Sequence, residues 1–308
     1  MTARPNERIA YFNGEYVPER EVRVPFRDHS FKYGDGVFDM TRTFNGCAFK
    51  VKEHVDRLYR SLRYAQIDVG LGPEESMAIW EEVLDRNRHL RGDNGDFWLG
   101  QRASRGIDAV GDEGWDDTGP TVIVECLPLP LKARARMFRD GIQVIVPSVR
   151  RMPAVSLSPR AKTHIIMPLL MAEFEVRGQN PDAWPILLDQ NGNLAEGRGS
   201  NIFLVRDHAV FTPREQYVLR GISRQTVIDL ARDLDIPVVE TDLDLYDAYN
   251  ADEIFITSTS WCICPVSRFN HVTVSEDRVL GPVTERLIKA YIELVGCDFV
   301  QQYLAHLE

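Results

Sequence analysis

The sequence predicts a mixed α/β (α+β) chain with a small N-terminal domain and a larger C-terminal domain. Its 308 residues, 44% of them hydrophobic, suffice for about two domains of ordinary size. Strand-like segments and segments of helical periodicity are interspersed along the whole chain. A segment with two prolines and a charge, 127–132 (LPLPLK), follows a buried-looking strand and marks a boundary. We therefore expect domains at 1–127 and 141–308, joined by a linker at 128–140.

The first domain opens with two predicted hairpins. The dipeptide Asn-Gly, a strong signal for a two-residue hairpin turn, occurs twice between strand-like segments. The expected hairpins are 9–12 with 16–17 around Asn13-Gly14, and 37–44 with 48–51 around Asn45-Gly46.

An amphipathic helix is predicted from Val51 onward, because the apolar residues follow a 4-3-4-3 spacing. These residues are Val51, Val55, Leu58, Leu62 and Ala65. Arg57 lies off this apolar stripe. A second helix at 74–88 and strands at 97–103 and 121–126 complete the predicted domain.

The second domain is predicted to mix strands and helices as well. The expected strands are 142–146, 184–189, 201–205, 238–240 and 253–257. The expected helices are 164–176, one that follows Gly221, and 283–294.

Composition excludes several classes of function. A formal net charge of −10 with dispersed Lys and Arg opposes nucleic-acid binding, and the short basic run 132–136 (KARAR) is expected to be a solvated part of the linker. No apolar run of about 18 residues and no secretory signal is visible, so we expect no membrane partner and a cytoplasmic location. Five cysteines without CxxC spacing indicate neither a disulfide framework nor a metal site.

Lys162 differs from the other five lysines in its sequence neighbours. It follows a turn-forming segment, 156–161 (SLSPRA), and precedes Ile165, Ile166 and Met167. Apolar neighbours would desolvate the amine and lower its pKa toward that of a nucleophile. Position alone favours an ordinary surface lysine, so the interpretation needs further motifs.

Three other segments have compositions suited to ligand binding. In 191–203 (NGNLAEGRGSNIF) a single carboxylate, Glu196, lies among glycines that allow close backbone approach. In 219–225 (LRGISRQ) a glycine and a serine open a helix whose N-terminus suits a phosphate. The segment 257–260 (TSTS) places four hydroxyls at the end of a strand. Taken singly, the three segments are equally typical of a hairpin loop, a helix cap and a turn.

Together with 33–38 (YGDGVF) and 54–58 (HVDRL), these segments resemble, in order and spacing, the motif set of the class IV (fold-type IV) aminotransferases. That family depends on pyridoxal 5'-phosphate (PLP) and includes branched-chain and D-amino-acid aminotransferases, (R)-selective amine transaminases and aminodeoxychorismate lyase. The resemblance extends from about Ile9 to about Val266. It implies a small N-terminal α/β domain, a larger C-terminal domain with a mainly antiparallel pseudo-barrel sheet, and the cofactor between them.

The resemblance also implies roles for individual residues. Lys162 matches the lysine that holds PLP as a Schiff base and moves the substrate proton. Glu196 matches the carboxylate that pairs with the pyridine nitrogen. The residues that match the phosphate site are Arg57, Ile222, Ser223 and Thr259.

Substrate contacts are implied less uniformly. Phe38 and Arg42 agree with branched-chain aminotransferases, whereas Met40, Trp98 and Gly100 stand where Gly, Tyr and Arg are usual. The pair Arg105-Gly106 resembles the substrate arginine of D-amino-acid enzymes. The substrate contacts expected on this basis are Tyr33, Phe38, Met40, Arg42, Trp98, Arg105, Ser258 and Ser260.

Two polar contacts of the site stay open at this point. For the keto-acid carboxylate we favour Arg42 and Arg105, with Arg198 and the Thr259-Ser260 backbone as alternatives. Because Ile165 to Met167 are apolar, a hydrogen bond to the phenolic oxygen of the cofactor is expected either to be absent or to come from Tyr33 or His164.

The function implied is ping-pong transfer of an amino group from a hydrophobic amino acid or primary amine to a keto acid, by a homodimer or larger homo-oligomer. Branched-chain-like amino acids or (R)-amines are the favoured donors. The alternatives are an aminodeoxychorismate-type lyase, a D-amino-acid aminotransferase and a cofactor-free binding protein. Retention of Lys162, Glu196 and Arg57 opposes the last.

Overall fold

The computed structural model describes residues 6–112, 114, 118–274 and 279–307. The chain divides into two compact units. The first comprises Met1–Leu129 with Ala161–Ile165, and the second comprises Pro130–Arg160 with Ile166–Glu308. Lys162, which the sequence placed in the C-terminal domain, therefore belongs with the first unit, because its segment pairs with a strand there.

The described part of the first unit is built on an antiparallel sheet. Its strands are β1 (Ile9–Phe12), β2 (Glu15–Pro18), β3 (Gly36–Phe44), β4 (Cys47–Ala48), β5 (Phe97–Ile107) and β6 (Gly119–Pro128). They lie in the order β2-β1-β6-β5-β3-β4. Both predicted hairpins are confirmed, and the Asn and Gly of each turn adopt positive φ: 45° and 101° at Asn13-Gly14, 51° and 78° at Asn45-Gly46.

Three helices accompany this sheet: α1 (His29–Tyr33), α2 (Val51–Ala65) and α3 (Pro73–Asn87). The apolar stripe predicted for α2 is confirmed, since Val55 and Leu58 are fully buried in the core. That core also contains Val37 of β3 and Leu99 of β5, so one face of the sheet packs against the helices. Arg57 lies off the stripe but is only 4% exposed, which the apolar pattern does not predict.

The described part of the second unit is built on a sheet that closes on itself. Its strands are β7 (Ile142–Ile145), β8 (Trp184–Leu188), β9 (Leu194–Gly197), β10 (Ser200–Arg206), β11 (Ala209–Pro213), β12 (Val238–Thr241), β13 (Glu253–Ser258), β14 (Cys262–Phe269) and β15 (Val272–Thr273). The sheet order is β12-β11-β10-β13-β14-β7-β8-β9, and β9 also pairs with β10. This extra pairing joins six strands into a ring and confirms the expected pseudo-barrel.

The helices of the second unit are α4 (Leu131–Asp140), α5 (Met167–Gln179), α6 (Ile222–Asp233), α7 (Leu245–Tyr249), α8 (Pro282–Val295) and α9 (Phe299–Leu304). The predicted helices after Gly221 and near 283–294 correspond to α6 and α8. No helix within the described residues has both the length and the apolar character needed to cross a bilayer.

Helix α4 occupies most of the segment expected to be a linker. Leu131, Ala135 and Phe138 recur at helical spacing and are buried, and the Phe138 ring stacks on Tyr303 of α9 at 4.6 Å. The segment is therefore an amphipathic helix of the second unit. Lys132 and Arg136 are exposed, but Arg134 is half-buried, so the expectation of a solvated basic run is wrong for Arg134.

Helix α5 begins three residues later than predicted. Residues 163 and 164 pair with β3, so they are extended and cannot begin a helix. Pro168 then occupies the first turn, where its missing N–H has no intrahelical partner to lose.

Candidate active site

The main chain around Lys162 forms a short extension of the first unit's sheet. Phe38 N donates to Lys162 O at 3.0 Å, and His164 N donates to Gly36 O at 2.8 Å. Lys162 N donates in turn to Ser61 Oγ of α2 at 3.1 Å. The backbone of the lysine is thus fixed to both the start of β3 and the helix behind it.

The Lys162 amine lies over an aromatic ring. Its Nζ is 4.4 Å from the centroid of Phe38. Two residues of the apolar run after the lysine are exposed, Ile165 at 40% and Met167 at 62%. Phe38 supplies an apolar contact for the amine.

Arg57 is held by a buried ion pair. Its Nε and Nη2 both donate to the carboxylate of Asp39 at 2.7 Å, and His54 Nδ1 lies 2.7 Å from the same carboxylate. Burial alone would raise the pKa of Asp39, but the Arg57 guanidinium and His54 outweigh it and hold that pKa well below its ordinary value. Asp39 therefore stays ionised and fixes the direction of the guanidinium.

Asp39 was not recognised from the sequence, although a signal for it exists. Asp39 follows the apolar Val37 by two residues in β3, so both side chains lie on the face of the strand that packs against the helices. A carboxylate at such a position needs a buried cation, and Arg57 is that cation.

Glu196 of the second unit is bound on both carboxylate oxygens. Oε1 accepts from Arg151 Nε at 2.9 Å, and Oε2 accepts from Leu219 N at 2.8 Å. Asn201, which lies opposite Glu196 in the β9–β10 pair, donates to Leu219 O at 3.0 Å. These bonds tie the glycine-rich hairpin to the loop that precedes α6.

The start of α6 is connected to the hydroxyl segment. Ser223 Oγ donates to Ser258 O at 3.0 Å, and the hydroxyls of Ser258 and Ser260 are 3.2 Å apart. The first N–H groups of a helix, here at Ile222 and Ser223, have no acceptor within the helix. The structure thus brings together the three motifs of the second unit, with Thr259 between the two linked serines.

Two side chains that the sequence analysis does not predict form hydrogen bonds with Ser260 of the hydroxyl segment. Arg134 of α4 donates to Ser260 Oγ and lies with its guanidinium carbon 4.8 Å from the Trp261 ring. Tyr303 Oη donates to Ser260 O at 2.9 Å. Both come from helices distant in sequence, so no local signal indicates them.

Four predicted substrate residues share one face of the first unit's sheet. Phe38, Met40 and Arg42 lie directly opposite Arg102, Gly100 and Trp98 in the β3–β5 register. This face is turned away from α2 and α3, which pack on the alternate residues. Tyr33 ends α1 and is 59% exposed.

All three arginines considered for the substrate carboxylate make other ion pairs. Arg42 is fully buried, donates from Nε to Thr43 O at 2.9 Å and lies 3.7 Å from Asp96. Arg198 pairs with Glu173 of α5.

Arg105 is engaged by a carboxylate and two carbonyls. It donates to Asp35 at 2.7 Å and to the carbonyls of Ala65 and Gln66 at 2.9 Å each. The hydrogen bond with Asp35 raises the pKa of Arg105. Its contacts therefore connect the start of β3 to the end of α2.

No group of three or more potential metal ligands occurs within the described ranges.

Comparison with known proteins agrees with these arrangements. Residues 36–269 match the family model described as Amino-transferase class IV. A relative from Methanocaldococcus jannaschii, provisionally named a branched-chain-amino-acid aminotransferase, is 35% identical over 285 residues, covering 92% of this chain and 95% of the relative. The D-alanine aminotransferase of Staphylococcus haemolyticus is 27% identical over 286 residues, covering 91% of this chain and 95% of that protein.

Among solved structures, the T.th. branched-chain amino acid aminotransferase complexed with 4-methylvaleric acid is similar at a TM-score of 0.82 and 28% identity, covering 95% of each chain. The family model spans well over half of the sequence, and the sheet of the second unit closes as the resemblance implied. The chain therefore belongs to the class IV aminotransferase family and is an aminotransferase.

Proposed function

We propose that this aminotransferase uses PLP to move an amino group from a hydrophobic amino acid or primary amine to a keto acid by a ping-pong mechanism. The placement of Lys162 carries the proposal. The main chain of Lys162 is hydrogen-bonded to β3 and α2, and its amine lies against Phe38. The chain also belongs to the class IV aminotransferase family. An amine positioned in this way loses little conformational freedom when it reacts.

The available donors and acceptors fit the cofactor. An aldehyde needs an amine, a phosphate needs cationic or N–H donors, and a protonated pyridine nitrogen needs a carboxylate. The first unit offers the amine of Lys162 and the guanidinium of Arg57, and the second offers the start of α6 and the carboxylate of Glu196. PLP, when bound, supplies an electron sink for the carbanion that forms at the substrate carbon.

Lys162 moves the substrate proton in this proposal. Its Nζ would accept the proton from the substrate Cα and donate it to the reacting carbon of the cofactor, and in the second half-reaction the proton would move in the opposite direction. The bonded main chain and the contact with Phe38 hold Nζ in one region.

Each unit offers groups suited to the phosphate. Asp39 orients the Arg57 guanidinium, and a guanidinium is suited to bidentate binding of phosphate oxygens. Ile222 and Ser223 offer main-chain N–H groups at the positive end of α6, and Thr259 offers a hydroxyl.

Glu196 keeps the ring nitrogen protonated. Each of its oxygens accepts a hydrogen bond, from Arg151 and from Leu219, and a carboxylate oxygen can accept two. Capacity therefore remains for a ring N–H, while Arg151 and Leu219 hold the carboxylate in place.

The donor is proposed to carry a hydrophobic, branched-chain-like side chain. Phe38, Met40 and Trp98 make one face of the sheet largely apolar. The similar T.th. enzyme is complexed with 4-methylvaleric acid, which has such a side chain. A D-amino-acid preference is the second candidate, supported by the 27% identical D-alanine aminotransferase.

We also propose a homodimer. Met167, Met171 and Phe174 recur at i, i+4 and i+7 on α5 and are 50–62% exposed. An apolar helix face of this kind is typical of an interface, and a second copy of the chain would cover it. Light scattering of Met171→Asp should then show a larger monomer fraction than the wild type.

Substitution of Lys162 tests the proposed function. We expect Lys162→Ala to abolish transamination, measured without added amines, while Lys52→Ala on the exposed face of α2 leaves the rate unchanged. If Lys162→Ala retains turnover, Lys162 is not the catalytic lysine and the proposed mechanism is refuted.

A further inference from the structure

The apolar face of β3 and β5 lacks an obvious group for the carboxylate of an amino acid. The three arginines considered from the sequence bind Asp96, Asp35 and Glu173 instead. A carboxylate brought against an apolar surface without a donor would be strongly disfavoured. If amino acids are substrates, the carboxylate therefore needs a donor other than these three arginines, and a further arginine on this face is a candidate.

Position 100 cannot supply that residue. A Cβ at Gly100 would clash with Asp39 O and lie 2.5 Å from the Met40 side chain, which fills the space opposite. The next residue on the same face of β5 is Arg102.

Arg102 has unused hydrogen-bonding capacity. Its Nε donates to Glu125 at 2.7 Å, and this is the one hydrogen bond of its guanidinium within the described part of the chain. The side chain is 39% exposed, so the terminal Nη groups remain accessible. Its guanidinium carbon lies 5.0 Å from the centroid of Phe38, the same ring that the Lys162 amine contacts.

His164 adds a second donor beside Arg102. Its Nδ1 is 2.5 Å from Ser30 Oγ, and its ring lies 5.5 Å from that of Phe38. Its Nε2 is buried and has no hydrogen-bond partner among the described residues. If the Ser30 hydroxyl donates to Nδ1, the proton of the neutral imidazole is on Nε2. A buried N–H without an acceptor destabilises the folded protein, and a ligand oxygen that accepts a hydrogen bond from Nε2 would remove this cost.

Burial and the nearby Arg102 lower the pKa of His164 to about 4. The imidazole is therefore neutral at ordinary pH and can act as a hydrogen-bond donor that does not repel the Arg102 guanidinium.

We infer that Arg102 and His164 bind the substrate carboxylate, so that amino acids and keto acids, and not amines lacking a carboxylate, are the preferred substrates. This inference rests on the proposed function, because it places the carboxylate within reach of the amine of Lys162. Arg102 would supply charge-assisted Nη bonds, and His164 one neutral bond through Nε2.

Binding of a matched pair of unreactive ligands to the PLP-loaded enzyme tests the inference. The probes are 4-methylvaleric acid and its neutral amide, and the measurement is the dissociation constant from the change in cofactor absorbance. We expect Arg102→Met to weaken binding of the acid about 10- to 100-fold and binding of the amide less than about twofold. Arg102→Lys should restore part of the loss, because it keeps the charge but not the fork of donors.

The remaining variants assign the effect to individual groups. We expect His164→Asn to weaken binding of the acid by about 3- to 10-fold, whereas Arg86→Met on the outer surface of α3 changes neither constant. Wild-type affinity of Arg102→Met for the acid would overturn the inference, and so would a greater loss in Arg105→Met. A wild-type protein that takes up no PLP would instead refute the proposed function, so the two failures are distinguishable. If Arg102→Met does not fold, the comparison of Arg102→Lys with the wild type decides.

Discussion

The two units hold their charged site residues in different ways. In the first unit, the Asp39 carboxylate binds the side chains of Arg57 and His54 and accepts one main-chain hydrogen bond, from Met40 N at 2.8 Å. The side chains of Asp39, Arg57 and His54 are almost completely buried. In the second unit, Glu196 accepts hydrogen bonds from one side-chain donor, Arg151, and one main-chain donor, Leu219 N. The first arrangement therefore depends mainly on the identity of three side chains, and the second depends more on the path of the backbone. Substitutions should therefore destabilise the first unit more than the second.

Among substitutions that keep Lys162, the largest effect on activity is expected from Glu196→Gln, which tests the role of the carboxylate in proton transfer separately from its role in holding the cofactor. A glutamine oxygen can still accept from Leu219 N, so cofactor content should remain near that of the wild type. The neutral amide does not keep the ring nitrogen protonated, so we expect proton transfer to slow by about 10²- to 10⁴-fold in single-turnover experiments. An unchanged rate would mean that another group protonates the ring.

The largest effect on stability is expected from Asp39→Asn. The substitution leaves the buried Arg57 guanidinium without a countercharge, and we expect a loss of about 3–5 kcal/mol in the free energy of unfolding by urea. Asp56→Asn, which removes an exposed ion pair with Lys52 on the same helix, is the matched control and should have little effect. Equal losses in the two variants would contradict the assigned role of the buried pair.

A smaller effect is expected from His164, on the pH dependence of the free energy of unfolding. Because burial lowers its pKa from 6.5 to about 4, the unfolded chain binds a proton that the folded chain does not between these values. The contribution of His164 to stability is thus complete above about pH 6.5 and declines as the pH falls toward 4. We expect the free energy of unfolding to decrease less in His164→Asn than in the wild type between about pH 6.5 and about pH 4.5. Parallel decreases would show that His164 is not the group that titrates.

The smallest effect is expected from Ser223→Ala in the second unit. It removes one neutral hydrogen bond, to Ser258 O, and leaves the main-chain N–H groups of α6 in place. We expect a loss of about 0.5–1.5 kcal/mol in unfolding free energy, measured as for Asp39→Asn. A loss as large as that of Asp39→Asn would remove the contrast between the two units.

Local patterns in the sequence predicted much of the fold. Three features that depend on neighbours in the chain lie where expected: the Asn-Gly turns, the apolar stripe of α2 and the hydroxyl segment at the end of β13. Helix α4 differs from the predicted linker because two prolines and a basic run are typical of a linker, whereas the helical spacing of Leu131, Ala135 and Phe138 places three apolar side chains in the core.

Contacts between distant segments could not be predicted in this way. The pairing of Lys162 with β3 joins residues more than 120 positions apart, and it moves the lysine from the expected domain into the first unit. The same applies to Arg102, whose relevance follows from its position opposite Phe38 in the β3–β5 register. A sequence without structural context presents Arg102 as one arginine among many.

All of the proposed chemistry depends on Lys162 binding PLP in an enzyme that transfers amino groups. The most direct test is the visible absorbance of the purified protein as L-amino acids, D-amino acids and the two enantiomers of a simple arylalkylamine are added in turn. We expect a yellow band that is lost with one class of donor and restored by a keto acid, and we expect Lys162→Ala to lack this cycle. A yellow band indifferent to every donor would favour a lyase, and a protein that shows no band even after incubation with PLP would contradict the account.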